Sequence, residues 1–125
     1  MNNNKTLFSP LRYPGSKRRL VDYIKQAIKE NDLNPRLFVE PFVGGGSIVI
    51  NLLKANLVQR ALLIDIDPWI ASFWKTVFFD TDWLIEQVET IEVSLDKWYA
   101  FKHSKPSSIR DQALTCLFLT LRVRS

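Results

Sequence analysis

Three clusters in this chain combine residue types and spacings that can hold a ligand. The first is Gly44, Gly45 and Gly46, which follow a short apolar run at Leu37 to Glu40 and precede a helical pattern beginning near Ile48. Glycines between a strand and a helix let the backbone turn sharply and let a ligand approach with no Cβ in the way. The spacing is not Gly-x-Gly-x-x-Gly, and no Gly-Lys-Ser/Thr follows, so neither the dinucleotide fingerprint nor the phosphate loop is matched. A plain tight turn is the alternative reading of the triplet. The second cluster is Asp65 and Asp67, at the end of a second apolar run, Ala61 to Ile66. Asp65 lies 19 residues after Gly46, and an acid about 20 residues beyond such glycines can accept hydrogen bonds from ribose hydroxyls. Asp67 is explained as a helix cap before Pro68. Asp65 has no such explanation, because an unpaired charge in a buried strand is costly. It is therefore the expected ligand contact. The third cluster is Arg12, Tyr13, Pro14, Gly15, Ser16 and Lys17, where a cation, an aromatic ring and a turn precede a helix. Tyr13 can pack on a ligand and Lys17 can pair with a carboxylate. Taken alone, the same residues also read as a surface loop with an aromatic anchor.

The elements that must position these clusters follow from periodicity. Pro10, Pro14 and Gly15 exclude a continuous helix there. Ser16 is a candidate cap for a helix running to about Glu30, with Leu20, Val21, Ile24, Ala27 and Ile28 on one face. Asn31, Asp32, Asn34 and Pro35 end it. Leu37 to Glu40 reads as a buried strand, Ile48 to about Ala55 as a helix with Ile48 and Leu52 inward, and 61–66 as a second buried strand. Ile70, Phe73, Trp74, Val77 and Phe78 then recur at helical spacing. Strand, glycine loop, helix and strand form a βαβ unit, so the expected class is α/β with a parallel sheet. Further helices are expected over about 82–92, 95–103 and 108–121, with Ser108 and Asp111 forming a capping box. The expected segments are 1–36, a basic motif and helix; 37–80, the βαβ core; and 81–125, helical.

Composition narrows the function classes. The 125 residues are 46% hydrophobic and 24% charged, ordinary values for one globular domain. They exclude a disordered, collagen-like or disulfide-stapled chain. No apolar run approaches the roughly 18 residues of a membrane helix. No secretory leader is visible at the polar N-terminus, and the single cysteine, Cys116, has no partner for an internal disulfide. A reducing cytoplasm is the simple expectation. Net charge is +4, unevenly placed: residues 1–36 hold eight Lys/Arg and three Asp/Glu, the remainder nine and ten. A basic N-terminal third suits a polyanion, although a solvated helix face has the same composition. His103 has no metal-ligand spacing around it. Cys116 and Trp69, Trp74, Trp83 and Trp98 read as packing residues.

Together, Phe8 to Lys17, Phe38 to Ser47 (Phe-Val-Glu-Pro-Phe-Val-Gly-Gly-Gly-Ser) and Leu63 to Asp67 resemble, in order and spacing, the opening of the Dam-type, D12 class DNA adenine-N6 methyltransferases. The resemblance covers the N-terminal half. It implies a Rossmann-like methyltransferase fold, here with an incomplete parallel sheet and flanking helices, and S-adenosylmethionine as cofactor. It implies that Tyr13 and Lys17 belong to the N-terminal cofactor motif, with Lys17 near the methionine carboxylate. Glu40, Pro41, Phe42, Gly44, Gly45 and Gly46 would form the main cofactor loop. Asp65 would hold the ribose hydroxyls and Ile66 would pack against adenine. Double-stranded DNA is the implied partner, with Arg12, Arg18 and Arg19 as contact candidates.

The chain departs from that family in one respect. The family carries an Asp-Pro-Pro-Tyr element that receives the flipped adenine. No such tetrapeptide occurs in this sequence, and Asp67-Pro68-Trp69 lies too close to the glycine loop to be it. The expectation is the cofactor-binding part of an adenine methyltransferase, inactive alone, with no catalytic residue of its own and with self-association through an open sheet edge. Two other readings compete. A non-catalytic DNA-binding or regulatory fragment would use only the basic third. A nucleotide-dependent oxidoreductase is disfavoured by the missing dinucleotide fingerprint.

Overall fold

The computed structural model describes residues 6–13 and 17–121. The expected cap at Ser16 and the turn at Pro14 and Gly15 lie outside the described residues. Two compact units are present, one running to Ile64 and the other beginning at Asp65.

The first unit holds α1 (Val21–Glu30), β1 (Leu37–Glu40), α2 (Ser47–Lys54) and β2 (Arg60–Leu63). The strands pair in parallel with Leu37 opposite Arg60 and Glu40 opposite Leu63. This is the α/β arrangement that the βαβ pattern requires, since parallel neighbours need a crossover element between them. The core cluster joins Val21 and Ile28 of α1 to Ile48 and Leu52 of α2 and to Val58, with Phe38 of β1 packed against it.

Three expectations change here. The first α-helix begins at Val21. A 3-10 turn at Arg18–Leu20 precedes it, and Leu20, expected on the inner face, is 47% exposed. The tighter turn rotates Leu20 off the stripe that the α-helical period assigns to it. The second strand is shorter than 61–66, ending at Leu63. Nor are the strands buried on both faces. Successive side chains alternate, and Leu37, Val39, Leu62 and Ile64 are all 43–48% exposed. Continuous apolar runs suggest a sheet covered on both sides, whereas here only the face carrying Phe38 meets the helical core.

The second unit is helical: α3 (Pro68–Phe79), α4 (Thr81–Thr90), α5 (Leu95–His103) and α6 (Ile109–Leu119). Asp67 caps α3 by accepting from the Trp69 N–H at 2.9 Å, with Pro68 at the first position. Ser108 caps α6 by accepting from the Asp111 N–H at 3.1 Å. Both caps are those read from sequence. α3 and α6 pack together and carry the buried Ile70, Phe73, Trp74, Ala113, Cys116 and Phe118. The Ser72 hydroxyl donates to Gln112 across that contact at 2.7 Å. α5 lies on α6 through Phe101 and Phe118, whose rings stack at 4.6 Å. No helix among the described residues is long and apolar enough to cross a membrane.

Candidate functional site

The glycine loop is built by continuing the strand pairing beyond both strands. The Ile64 N–H donates to the Glu40 carbonyl at 2.9 Å, and the Val43 N–H donates to the Ile64 carbonyl at 2.9 Å. The Gly46 N–H then closes a turn onto the Val43 carbonyl at 2.8 Å. Gly44 has φ +48° and Gly46 has φ +72°, conformations that side-chain-bearing residues rarely adopt. Gly46 is also the residue at which α2 starts, so no side chain caps that helix. Its N-terminus therefore presents a partial positive charge to the loop.

Tyr13 lies directly on this loop. A Cβ at Gly44 would stand 2.8 Å from Tyr13 Cε1, and one at Gly45 would stand 3.0 Å from Tyr13 Cβ. The glycines are thus required by the ring as well as by the turn. The hollow lined by Tyr13, Lys17, Val43 and residues 44–47 is only about 10 Å³. The Tyr13 ring occupies the space above the glycines.

Lys17 and Glu40 meet at the same loop. The Lys17 ammonium donates to Glu40 Oε1 at 2.6 Å and to the Phe42 carbonyl. Glu40 is buried, so its charge needs this partner. The expected positions of Glu40, Lys17, Tyr13 and Gly44 to Gly46 are brought together. Pro41 is exposed, and Phe42 is 73% exposed, an apolar ring left in solvent at the edge of the loop.

Asn51 was not singled out from sequence, and it organises the loop's surroundings. It is 1% exposed. Its Oδ1 accepts from the Leu7 N–H at 2.6 Å, and its amide donates to the carbonyls of Leu7 at 3.0 Å and Ser47 at 2.7 Å. It thereby ties the extended segment before Tyr13 to α2. An amide interrupting the inner stripe of a helix was the available clue.

In the second unit, Asp65 and Ile66 stand in the loop before α3. Asp65 Oδ1 accepts from the Asp67 N–H at 3.0 Å. This corrects the reason for which Asp65 was selected. It is not a charge inside a strand, because β2 stops two residues earlier, and it holds a local turn. Ile66 is 95% exposed. The nearby Cys116 thiol is pushed up to about 12, by burial first and then by the charges of Asp67 and Asp65. It is a buried core thiol, as its apolar helical face in the sequence indicated.

The candidate polyanion contacts line an open cleft of about 740 Å³ in the first unit, among them Arg12, Arg18 and Arg19 with Phe8 and Asp22. Arg18 sits over the Phe8 ring at 3.9 Å. Among the described residues no group of three or more metal-ligating side chains occurs.

Comparison with known proteins adds the following. A family model described as D12 class N6 adenine-specific DNA methyltransferase matches residues 13–123. The chain is 30% identical over 111 residues to a DNA adenine methylase of Vibrio cholerae, covering 82% of this chain and 37% of that protein. It is 34% identical over 83 residues to a DNA adenine methylase of Haemophilus influenzae, covering 65% and 26%. It is 28% identical over 92 residues to the Type II methyltransferase M.MjaIII of Methanocaldococcus jannaschii, covering 70% and 32%. The chain thus spans roughly a third of the length of these curated relatives.

Proposed function

Since the chain belongs to the D12 class of N6 adenine-specific DNA methyltransferases, we propose that it supplies the S-adenosylmethionine-binding part of such an enzyme, acting on adenine in duplex DNA. The observation that carries this reading is the buried Glu40 carboxylate held by Lys17 beside a left-handed glycine turn that opens an uncapped helix. An ammonium has three donors. Glu40 and the Phe42 carbonyl take two, and the methionine carboxylate is the acceptor proposed for the third. The donor chemistry of the loop fits an anionic, amino-acid-bearing ligand. The space fits only once the Tyr13 ring swings off Gly44 and Gly45, so ring displacement is part of the proposed binding step. Asp65 would accept from the ribose hydroxyls. Ile66, apolar and solvent-exposed, would gain by covering an adenine ring, and Phe42 would belong to the loop beneath the methionine and ribose. Pro41 and Gly46 would shape the same loop.

When bound, the cofactor supplies a methyl group activated by a sulfonium. This chain's residues hold and orient it. Asp67 does not serve as the adenine acceptor, because it caps α3. The Asp-Pro-Pro-Tyr acceptor is absent from the sequence, so methyl transfer requires further polypeptide. The Arg12, Arg18 and Arg19 cleft would meet the DNA backbone. A cytoplasmic site of action, and self-association through an open edge of β1 or β2, belong to the same reading. The cationic cleft also supports the second reading, a DNA-binding fragment with no cofactor response.

Calorimetric titration of S-adenosylmethionine into the chain, beside Asp65→Ala, tests the proposal. Saturable binding that weakens at least tenfold in the variant is expected. A folded chain that binds no cofactor would overturn it. Methyl transfer to DNA by this chain alone would overturn the division of labour.

A further inference from the structure

We propose that Asn51 is a positioning residue for the cofactor site: by clasping the backbone of Leu7 it holds the segment that carries Tyr13 over the glycine loop, and so sets how long the loop retains its ligand. This rests on the S-adenosylmethionine reading above and assigns that site a residue outside the loop itself. Asn51 stands in the second turn of α2, on the buried face that includes Ile48 and Leu52, and is 1% exposed. Helix packing alone calls for an apolar side chain there. Asparagine is a weaker helix former than leucine, and a buried amide is costly unless it is hydrogen-bonded. Of its bonds, the one to the Ser47 carbonyl at 2.7 Å is local. The other two go to one residue 44 positions away: Oδ1 accepts from the Leu7 N–H at 2.6 Å, and Nδ2 donates to the Leu7 carbonyl at 3.0 Å. A side-chain amide offers the same donor and acceptor pair as a peptide group, so Leu7 is held much as a neighbouring strand would hold it.

Side-chain packing does not secure this end of the segment. Leu7 is 38% exposed and Phe8 69%, and Leu7 belongs to no strand. Further along, Leu11 is buried, and its N–H donates to Ser9 Oγ at 3.0 Å, which shapes the chain leading to Tyr13. Tyr13 then lies on Gly44 and Gly45. Lys17, four residues on, is fixed to Glu40 at 2.6 Å. Tyr13 thus sits between two anchors, Leu7 on Asn51 and Lys17 on Glu40.

The first anchor limits how far Tyr13 can go. Six residues of chain from Leu7 to Tyr13 span at most about 20 Å when fully extended. A ring that moves off the glycines to admit a ligand stays within reach of the loop while Leu7 is held. Without the clasp, the burden falls on Leu11, and each closure must order the freed backbone anew at an entropic cost. Loss of the clasp therefore speeds ligand release, whereas loss of folded protein lowers the number of sites and leaves release from the remaining ones unchanged.

The test compares the chain with Asn51→Leu, Leu7→Pro and the double variant, each checked for an unchanged helical spectrum. Asn51→Leu fills the same buried place without the amide. Leu7→Pro removes the N–H that Oδ1 accepts from, far from the α2 core, in an extended segment that tolerates proline. Release of radiolabelled S-adenosylmethionine is followed after a chase with excess unlabelled cofactor, and bound stoichiometry is measured beside it. One net hydrogen bond is worth roughly a 2- to 10-fold change. Release is expected to quicken about tenfold or more in Asn51→Leu and about threefold to fivefold in Leu7→Pro, with stoichiometry unchanged. The double variant should release no faster than Asn51→Leu, because both act on one contact. Faster release in Asn51→Leu with none in Leu7→Pro would place the effect inside α2 and overturn the proposal. Lower stoichiometry with unchanged release would reduce Asn51 to a folding residue and overturn it too. A second arm needs no cofactor: the Tyr13 ring current on the Gly44 and Gly45 α-proton resonances. In Asn51→Leu and Leu7→Pro these resonances should move toward their positions in Tyr13→Leu, and unmoved resonances would overturn the clasp. Failure of the unsubstituted chain to bind S-adenosylmethionine would overturn the cofactor reading and the release effect together, while the ring-current shifts still decide whether Asn51 places Tyr13.

Discussion

Gly44→Ala separates two reasons for a glycine that usually travel together. At Gly44 the backbone has φ +48°, and a Cβ would also stand 2.8 Å from Tyr13 Cε1. At Gly45 a Cβ would meet Tyr13 Cβ at 3.0 Å, with Ser9 Oγ at 3.5 Å, and only the contact applies. A left-handed conformation with a side chain costs about 1–2 kcal/mol. Gly44→Ala should therefore destabilise the first unit by that amount plus whatever is needed to displace the ring. All four tryptophans lie in the second unit, so tryptophan fluorescence would not report this change. Hydrogen exchange at the Val43 and Gly46 amides would, since both hydrogen bonds close the loop. A loss of about 1–2 kcal/mol raises their opening equilibrium roughly 5- to 30-fold. Tyr13→Ala in the same chain should recover the steric part and leave the backbone part. Gly45→Ala, by contrast, should be rescued by Tyr13→Ala as far as the ring contact is responsible. Unchanged exchange at Val43 and Gly46 in Gly44→Ala would refute the argument. So would complete rescue by removal of the ring, because the positive φ would then carry no penalty.

Other outcomes follow from the same geometry. Asn51→Ala should leave the Leu7 N–H and carbonyl without their partner and destabilise the first unit by about 1–3 kcal/mol; rapid exchange at the Leu7 amide checks it. Asp80 is held below the usual carboxylate range by its hydrogen bond from Arg110. Its contribution is present above the ordinary carboxylate pKa and is lost as pH falls through the lowered one. Denaturation midpoints of the native chain should therefore fall more steeply below about pH 4 than those of Arg110→Gln, and added salt should shrink the difference. Cys116, with its thiol pushed up to about 12 and buried, should resist iodoacetamide at pH 8 in the native chain and react once urea unfolds it. Labelling at equal rates in both states would contradict the buried placement.

The sequence determined the parts of this protein that local chemistry controls. Asp67 before Pro68 and Ser108 before Asp111 set helix starts, because a cap bonds N–H groups two or three residues away. The run from Glu40 to Ser47 carried the family resemblance, and the glycines within it carried the turn. Four-residue apolar runs around a helical segment carried the parallel βαβ unit. Tertiary structure decided what depends on distant partners. Which strand face is covered rests on where helices pack, and a continuous apolar run conceals the open face at Val39 and Leu62. The placement of Tyr13 on Gly44 and Gly45 joins residues some 30 positions apart, and Asn51 acts across 44. Neither follows from composition. Asp65 was selected as a charge buried in a strand, and its actual turn became legible only when the end of β2 was fixed.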